Sequence, residues 1–212
     1  MTAPARARVE RDARERILDA ACDVIAEQGI EHLRIARIAT LAGVSPPLVH
    51  YHFATREALL SEALEHSFEL LGDIRTTSAE DEHWTAALKL GWMIDQSLPF
   101  PGMGDREWRL WLELWGRAAR LPALRPIAAR LYARYDAWIA EVVEAGIASG
   151  EFAPRDARAV VQRLVAAIDG VGLRVLVDDP AMELAHARRL IVEGLAEELG
   201  VGVDAFDPRG ES

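Results

Sequence analysis

Two helical segments that are too short to be stable alone restrict most strongly how this chain can fold. The spacing of apolar residues predicts one helix at Ile35–Ala42 and another at Pro46–His52, joined only by Gly43, Val44 and Ser45. Isolated helices shorter than about 12 residues are marginal in water, so these two must pack on each other. Gly43 can adopt a positive φ that ends the first helix, and Ser45 can cap the second. The sequence therefore predicts a helix-turn-helix.

The rest of the chain is typical of longer amphipathic helices separated by proline and glycine. Only Val171–Val177 could pass for a strand, and a single buried strand would have no partner. We therefore predict an all-α chain of about nine helices. The longer helices are expected at Arg11–Gln28, Arg56–Leu71, Asp81–Leu98, Gly104–Arg120, Pro122–Ser149, Asp156–Val177 and Pro180–Leu199.

Composition narrows the class of protein. Half of the 212 residues are apolar, but no apolar run is long enough to cross a membrane, and no signal-peptide pattern begins the chain. The single cysteine, Cys22, permits neither an intrachain disulfide nor a cysteine-based zinc site, and we expect it to be a small core residue. The formal net charge is −10, and all of the acidic excess lies in residues 61–212. We expect a soluble cytoplasmic protein without metal or cofactor, whose N-terminal part is electrostatically distinct.

The N-terminal segment resembles the DNA-binding domain of TetR-type transcriptional regulators. The resemblance rests on an ordered set of residues around the helix-turn-helix: Gly29, Ile38-Ala39, Ala42-Gly43-Val44-Ser45, His52-Phe53, Arg56 and Leu59. Farther along, several segments resemble the C-terminal domain of the betaine-regulator (BetI-type) branch: Trp108–Trp115, Leu131–Tyr135, Gly150-Glu151-Phe152 and Ala167–Val171. The resemblance implies a repressor that binds palindromic, double-stranded operator DNA as a homodimer and releases it when a small molecule enters the C-terminal body.

Three parts of the chain follow from this interpretation. Residues 1–55 are expected to form the helix-turn-helix domain, which begins with a flexible arm that contains Arg6, Arg8, Arg11, Arg14 and Arg16. Residues 56–203 are expected to form a larger helical domain for effector binding and dimerisation, and residues 204–212 a C-terminal tail. The arm is either a solvated tail or a contact to the DNA minor groove or phosphates.

The second helix of a helix-turn-helix enters the major groove, so its exposed side chains are the candidate base contacts. This helix carries no arginine, asparagine or glutamine, and we expect readout through thymine methyl contacts, His50 and DNA shape. The family resemblance assigns His52 and Arg56 to phosphates, whereas Arg34 and His50 depart from the hydroxyl residue and the tyrosine common there. The predicted DNA-binding residues are Arg34, Ser45, Pro46, Pro47, His50, Tyr51, His52 and Arg56.

Tryptophans are concentrated in the middle of the chain, and Trp108, Trp111 and Trp115 share one helical face. Such a stripe is usually core packing. Polar residues close in sequence also suit a pocket that binds a small cationic or aromatic effector. The carboxylates of Asp95 and Glu113 could instead pair with Arg106, Arg109 or Arg117. The candidate effector residues are Trp92, Asp95, Gln96, Trp111, Glu113, Trp115 and Asp169.

Asp169 interrupts an apolar run and needs a partner, because an unpaired buried charge is destabilising. The alternatives are Arg174, Arg163 or a helix end, or a ligand that faces the carboxylate. Small residues nearby permit close helix approach, so we expect a four-helix dimer interface built from residues 156–177 and 180–199 of two chains.

Two other classes of function compete with this interpretation. A constitutive or architectural DNA-binding protein would lack a cavity in the helical body. An all-helical enzyme is disfavoured, because the sequence contains no glycine-rich phosphate loop, no His-Glu-x-x-His motif and no nucleophile elbow.

Overall fold

The computed structural model describes residues 3–79, 84–101, 103–154 and 156–207, with side chains from Ala13 onward except at 69–79 and 103. Within these ranges the regular structure is helical and contains no strand, which confirms the all-α prediction. Val171–Val177 belongs to a helix and its end rather than to a strand. The helices are α1 Ala3–Gln28, α2 Ile35–Ala42, α3 Pro46–His52, α4 Arg56–Ala79, α5 Ala86–Ser97, α6 Met103–Ala118, α7 Arg125–Ser149, α8 Ala157–Leu176 and α9 Leu184–Leu199, with 3-10 turns at Ile30–His32, Pro122–Leu124 and Val203–Phe206.

The chain divides into two compact units. Unit 1 contains residues 1–71 and 109–128, and unit 2 contains residues 72–108 and 129–212. This division differs from the expected boundary at residue 55, because the first turns of α4 and the second half of α6 belong with the helix-turn-helix. Helices α4, α6 and α7 each continue from one unit into the other.

The core of unit 1 is formed where α1, α2 and α3 meet. Ile17 and Ile38 are fully buried there, as is Phe53 just after α3. Helix α4 is joined to α1 by Cys22, whose thiol donates to the carbonyl of Ala63 at 3.1 Å. Cys22 is therefore a core residue, as the sequence predicts.

The core of unit 2 includes the C-terminal 3-10 turn, which packs against α5 and α9. Phe206, which falls in the expected C-terminal tail, is fully buried. A Cβ on Gly91 would lie 2.2 Å from the Phe206 carbonyl oxygen, so only glycine permits this approach. Arg188 donates to that same oxygen at 3.2 Å and to Asp95. The packed core of unit 2 therefore extends beyond α9 to Phe206.

Helices α9 and α5 begin later than the sequence predicts, for local reasons, and α7 begins at Arg125 because a 3-10 turn occupies Pro122–Leu124. Helix α9 begins at Leu184 rather than Pro180, because Asp178 has a φ of 55° and Asp179 accepts the backbone N–H of Ala181. Helix α5 begins at Ala86, and residues 81–83 of the expected helix lie outside the described ranges. The carboxylate of Glu151 accepts the N–H groups of both Ala86 and Ala87 at 2.8 Å and so fixes that start.

Candidate DNA-binding face and effector residues

The turn between α2 and α3 is a Schellman motif. Gly43 has a φ of 64°, its N–H donates to the Thr40 carbonyl at 3.2 Å, and the Val44 N–H donates to the Ala39 carbonyl at 2.9 Å. These two bonds satisfy carbonyls at the end of α2 that would otherwise lack partners. The turn therefore sets the direction in which α3 leaves, and the observed bounds of α2 and α3 match the prediction.

Helix α3 presents a clear inner and outer face. Val49 is fully buried, whereas Pro46, Pro47 and His50 are exposed and Tyr51 is 73% exposed. Ser45 occupies the N-cap position, but its hydroxyl makes no capping hydrogen bond, so the predicted side-chain cap is wrong. Pro46 and Pro47 have no N–H that a hydroxyl could cap, and the Leu48 N–H donates to the Ser45 carbonyl at 3.0 Å. The exposed set is the one predicted to face base edges.

Three other predicted DNA contacts lie in different surroundings. Arg34 is exposed at the N-cap position of α2 and makes no side-chain cap, as its residue type implies. His52 is half-buried, its ring lies 5.1 Å from that of Tyr51, and its Nε2 is buried without a hydrogen bond. Arg56 donates to the Leu33 carbonyl at 2.9 Å and also to the Ile30 carbonyl. The guanidinium of Arg56 thus holds the turn that precedes α2.

The expected flexible arm is instead the beginning of α1, which is helical from Ala3. Residues of opposite charge spaced four apart, such as Glu10 and Arg14, favour this continuation. Arg14 forms an ion pair with Glu62 and lies 5.7 Å from the Phe53 ring centroid, and Arg16 donates to the Ala42 carbonyl. Arg14 and Arg16 therefore make contacts within unit 1. The side chains of Arg6, Arg8 and Arg11 lie outside the described residues.

The predicted effector residues fall in both units. In unit 1, Trp111 and Trp115 are half-buried, with ring centroids 5.6 Å apart and planes tilted by 35°. Glu113 of the same helix accepts from Arg117 at 2.9 Å, one of the pairings that the sequence leaves open. In unit 2, Trp92 and Gln96 are half-buried, and Asp95 pairs with Arg188 rather than with Arg106, Arg109 or Arg117. A pocket that joins Trp92 with Trp111 and Trp115 stays a prediction.

Trp108 of the tryptophan stripe is a core residue of unit 2. It is 5% exposed, and its indole N–H donates to the Ser97 carbonyl at 2.9 Å. Its ring occupies the space where a side chain on Gly172 would lie, since a Cβ there would approach the ring within 2.1 Å. Core packing is therefore the correct interpretation for this member of the stripe.

Asp169 is bound by a neutral partner. The Tyr132 hydroxyl donates to its carboxylate at 2.6 Å. The arginines expected from the sequence bind other carboxylates, since Arg163 pairs with Glu198 and Arg174 with Asp179. Burial raises the pKa of Asp169, the Tyr132 hydrogen bond opposes the rise, and the nearby charge of Asp136 adds to it. Burial, together with this hydrogen bond, also raises the pKa of Tyr132. The site combines a half-buried carboxylate with an aromatic ring.

Unit 2 contains a groove that the sequence does not predict. It lies between α7 and α8, has a volume of about 350 Å³, and its lining includes small apolar side chains such as Ala140 and Val161. Asp136 and Glu144 of α7 and Arg158 of α8 also line it. The alanines of α7 are the sequence feature that could have indicated this groove. The sequence does not show which helix packs opposite them, because that depends on the tertiary structure.

Comparison with known families accounts for most of the chain. Residues 17–63 match the model described as bacterial regulatory proteins of the tetR family. Residues 86–200 match the model described as the C-terminal part of BetI-type transcriptional repressors.

None of the helices within the described ranges is long and apolar enough to span a membrane.

Individual proteins show the same relationship. The HTH-type transcriptional regulator BetI of Ectopseudomonas mendocina is 26% identical over 194 residues, covering 88% of this chain and 93% of that protein. A regulator from Saccharomonospora viridis, solved in complex with choline, is 32% identical with a TM-score of 0.75, covering 88% of this chain and 96% of the other. A TetR-family regulator from a Rhodococcus species is 26% identical with a TM-score of 0.81, covering 89% and 99%. The chain belongs to the TetR family of DNA-binding transcriptional regulators and carries a C-terminal domain of the BetI repressor type.

Proposed function

We propose that this protein is a repressor that binds a palindromic operator as a homodimer and releases it when a small organic cation binds the helical body. The observation that carries the DNA-binding part is the outer face of α3, where Pro46, Pro47, His50 and Tyr51 are exposed together. The pyrrolidine rings suit contact with thymine methyl groups, and the His50 imidazole can hydrogen-bond to base edges.

A homodimer is supported by the face formed by α8 and α9. These helices border a groove of about 150 Å³ whose lining includes Ala167 and Gly194, which leave room for a second helix. Leu190 lies on the same groove and is 41% exposed. Arg163 and Glu198 form a bidentate ion pair at 2.5 and 2.7 Å beside it. Two copies related by a two-fold axis would bury this surface in a four-helix interface.

A cationic effector is supported by Asp169. Its carboxylate is half-buried, and Tyr132 supplies a hydrogen bond but no positive charge. A quaternary ammonium ion has no N–H donors and is bound by carboxylates and by the faces of aromatic rings. The Saccharomonospora viridis protein was solved with choline, which has this chemistry. We therefore propose choline, or a cation of the same type, as the effector.

Selection of duplexes from a random pool tests the DNA-binding part. The wild-type protein should enrich an inverted repeat, because each chain of a symmetric dimer contributes one α3. The His50→Ala variant should select different bases at two symmetry-related positions, because base contacts specify whereas phosphate contacts position. His66→Ala is a matched control, since this histidine lies on α4 with its Nε2 3.0 Å from Asp19.

The control should select the wild-type sequence. Enrichment of sites without two-fold symmetry would contradict the dimeric arrangement. An unchanged base preference in His50→Ala would remove that residue from the base-reading role.

A further inference from the structure

The turn that leads into the helix-turn-helix is held by a side chain from α6. Ile30 begins the 3-10 turn at Ile30–His32, and the first N–H of such a turn has no partner within it. The carboxylate of Glu113 accepts this N–H at 3.0 Å, across 83 positions of the sequence. Glu113 was expected to be an effector residue, but this bond ties it to the DNA-binding unit.

Arg117 orients Glu113 for this contact. One helical turn farther along α6, the Arg117 Nε donates to the same carboxylate oxygen at 2.9 Å. Another nitrogen of its guanidinium bonds to Glu31, within the 3-10 turn itself. Two residues of α6 therefore bind the turn, one at its backbone and one at its side chain.

Arg56 completes the contact from the first residue of α4. Its guanidinium donates to the carbonyls of Ile30 and Leu33. The peptide groups of Ile30 are thus bound on the N–H side by Glu113 and on the carbonyl side by Arg56. Leu33 and the following Arg34 lead directly into α2, so a displacement of this turn is passed to the start of the helix-turn-helix.

Helix α6 also has an anchor at its other end. It runs without interruption from Met103 to Ala118, and its first part belongs to unit 2. There the buried Trp108 donates to the Ser97 carbonyl. Glu113 lies five positions after Trp108, which is about 7.5 Å along a helix. The same uninterrupted helix therefore carries a core residue of unit 2 and the residue that binds the turn of unit 1.

We propose that Glu113 is a positioning residue that couples the state of the helical body to the helix-turn-helix through its bond to the Ile30 N–H. This proposal rests on the regulatory function proposed above and names the residue through which that regulation acts. Because coupling between two sites is reciprocal, DNA binding must also change α6. This consequence can be measured without any effector.

The test is hydrogen–deuterium exchange of the full-length protein, with and without the duplex selected by the wild-type protein. In the wild type, saturating DNA should change the exchange rate of α6 amides about fivefold, as expected for a coupling of ordinary size. In Glu113→Ala this DNA-induced change should disappear, and the Ile30 amide should exchange at least about tenfold faster, because it loses its acceptor. Glu113→Gln should keep most of the response, because its amide oxygen can still accept the Ile30 N–H.

A matched control is Glu141→Gln, which neutralises an exposed glutamate on α7. It should respond like the wild type. If Glu113→Ala does not fold, Arg117→Met takes its place, because it leaves Glu113 present but removes its orientation, and the α6 response should fall at least about twofold. A merely structural role for Glu113 would change stability while leaving the DNA-induced ratio intact.

An α6 response of wild-type size in Glu113→Ala, or in Arg117→Met when the former is unfolded, would overturn the proposal. So would the absence of any α6 response in the wild type. A wild type that shows the α6 response to DNA but ignores choline would refute the proposed effector and leave the role of Glu113 standing. A wild type that binds no duplex would overturn both.

Discussion

Replacing Gly172 with alanine should lower the Tm of the protein by about 8 °C. The new methyl group would lie 2.1 Å from the ring of Trp108, and this ring is buried and fixed by its hydrogen bond to Ser97. Forcing extra volume into a packed core destabilises by up to about 3 kcal/mol, and each kcal/mol shifts the Tm of a chain of this size by about 2–4 °C. The measurement is thermal unfolding followed by circular dichroism at a fixed protein concentration.

Gly170→Ala is the matched control on the same helix. Nothing lies within 4 Å of the position that its Cβ would take, so the substitution should bring only the better helix propensity of alanine. We expect the free energy of unfolding to rise by at most about 1 kcal/mol. The Tm should therefore be unchanged or slightly raised. In a Trp108→Leu background the penalty of Gly172→Ala should shrink. Equal losses for the two glycine variants would contradict the packing of Trp108 on Gly172.

Asp169→Asn should weaken choline binding by about 30-fold while stabilising the folded protein at neutral pH. Loss of an ion contact of about 2 kcal/mol, which lies between the values for close charges in water and near a protein surface, weakens binding by about 30-fold. Burial raises the pKa of Asp169 in the folded protein, so the folded state favours the protonated carboxyl. The stability that the protonated Asp169 carboxyl contributes is complete below the pKa that it has in the unfolded chain. This contribution is lost as the pH rises through the pKa that it has in the folded protein. The asparagine amide avoids that loss, and its oxygen can still accept from Tyr132.

Thermal unfolding from acidic to neutral pH and choline titration of both proteins check this prediction. The gain in Tm should be largest at neutral pH and should vanish on acidification. Choline affinity of the wild type should fall as pH is lowered through the pKa of Asp169. Asp136→Asn provides the comparison, because it removes a neighbouring negative charge and leaves the Tyr132 bond in place. A choline response lost equally in both variants would show that overall negative potential, rather than Asp169, attracts the cation.

The helix-turn-helix could be predicted closely because its signals are local. The positive φ of Gly43 ends α2, and Pro46 begins α3, so both boundaries depend on neighbouring backbone atoms. The start of α9 was predicted four residues early, because the turn at Asp178 and Asp179 depends on the Arg174 side chain from the preceding helix. Helix boundaries were therefore predictable where capping is local and less so where side chains determine the turn.

The candidate site was predictable by residue type but not by partner. Asp169 was singled out as a charge in an apolar run, yet its partner Tyr132 lies 37 positions away on another helix. Arg56 was expected at a phosphate, and the structure directs its guanidinium to two carbonyls of the turn at Ile30. An arginine binds whichever acceptors folding brings to it, and those positions follow from helix packing that sequence spacing does not encode.

The most direct test of the regulatory account is the affinity of the wild-type protein for its selected duplex, measured by fluorescence anisotropy as choline chloride is added. Sodium chloride at the same concentration is the necessary control, because salt alone weakens protein–DNA binding. Choline should raise the Kd for DNA at least about tenfold beyond the salt control, and DNA should weaken choline binding by the same factor. A Kd that follows the sodium chloride control at every choline concentration would contradict choline-dependent release.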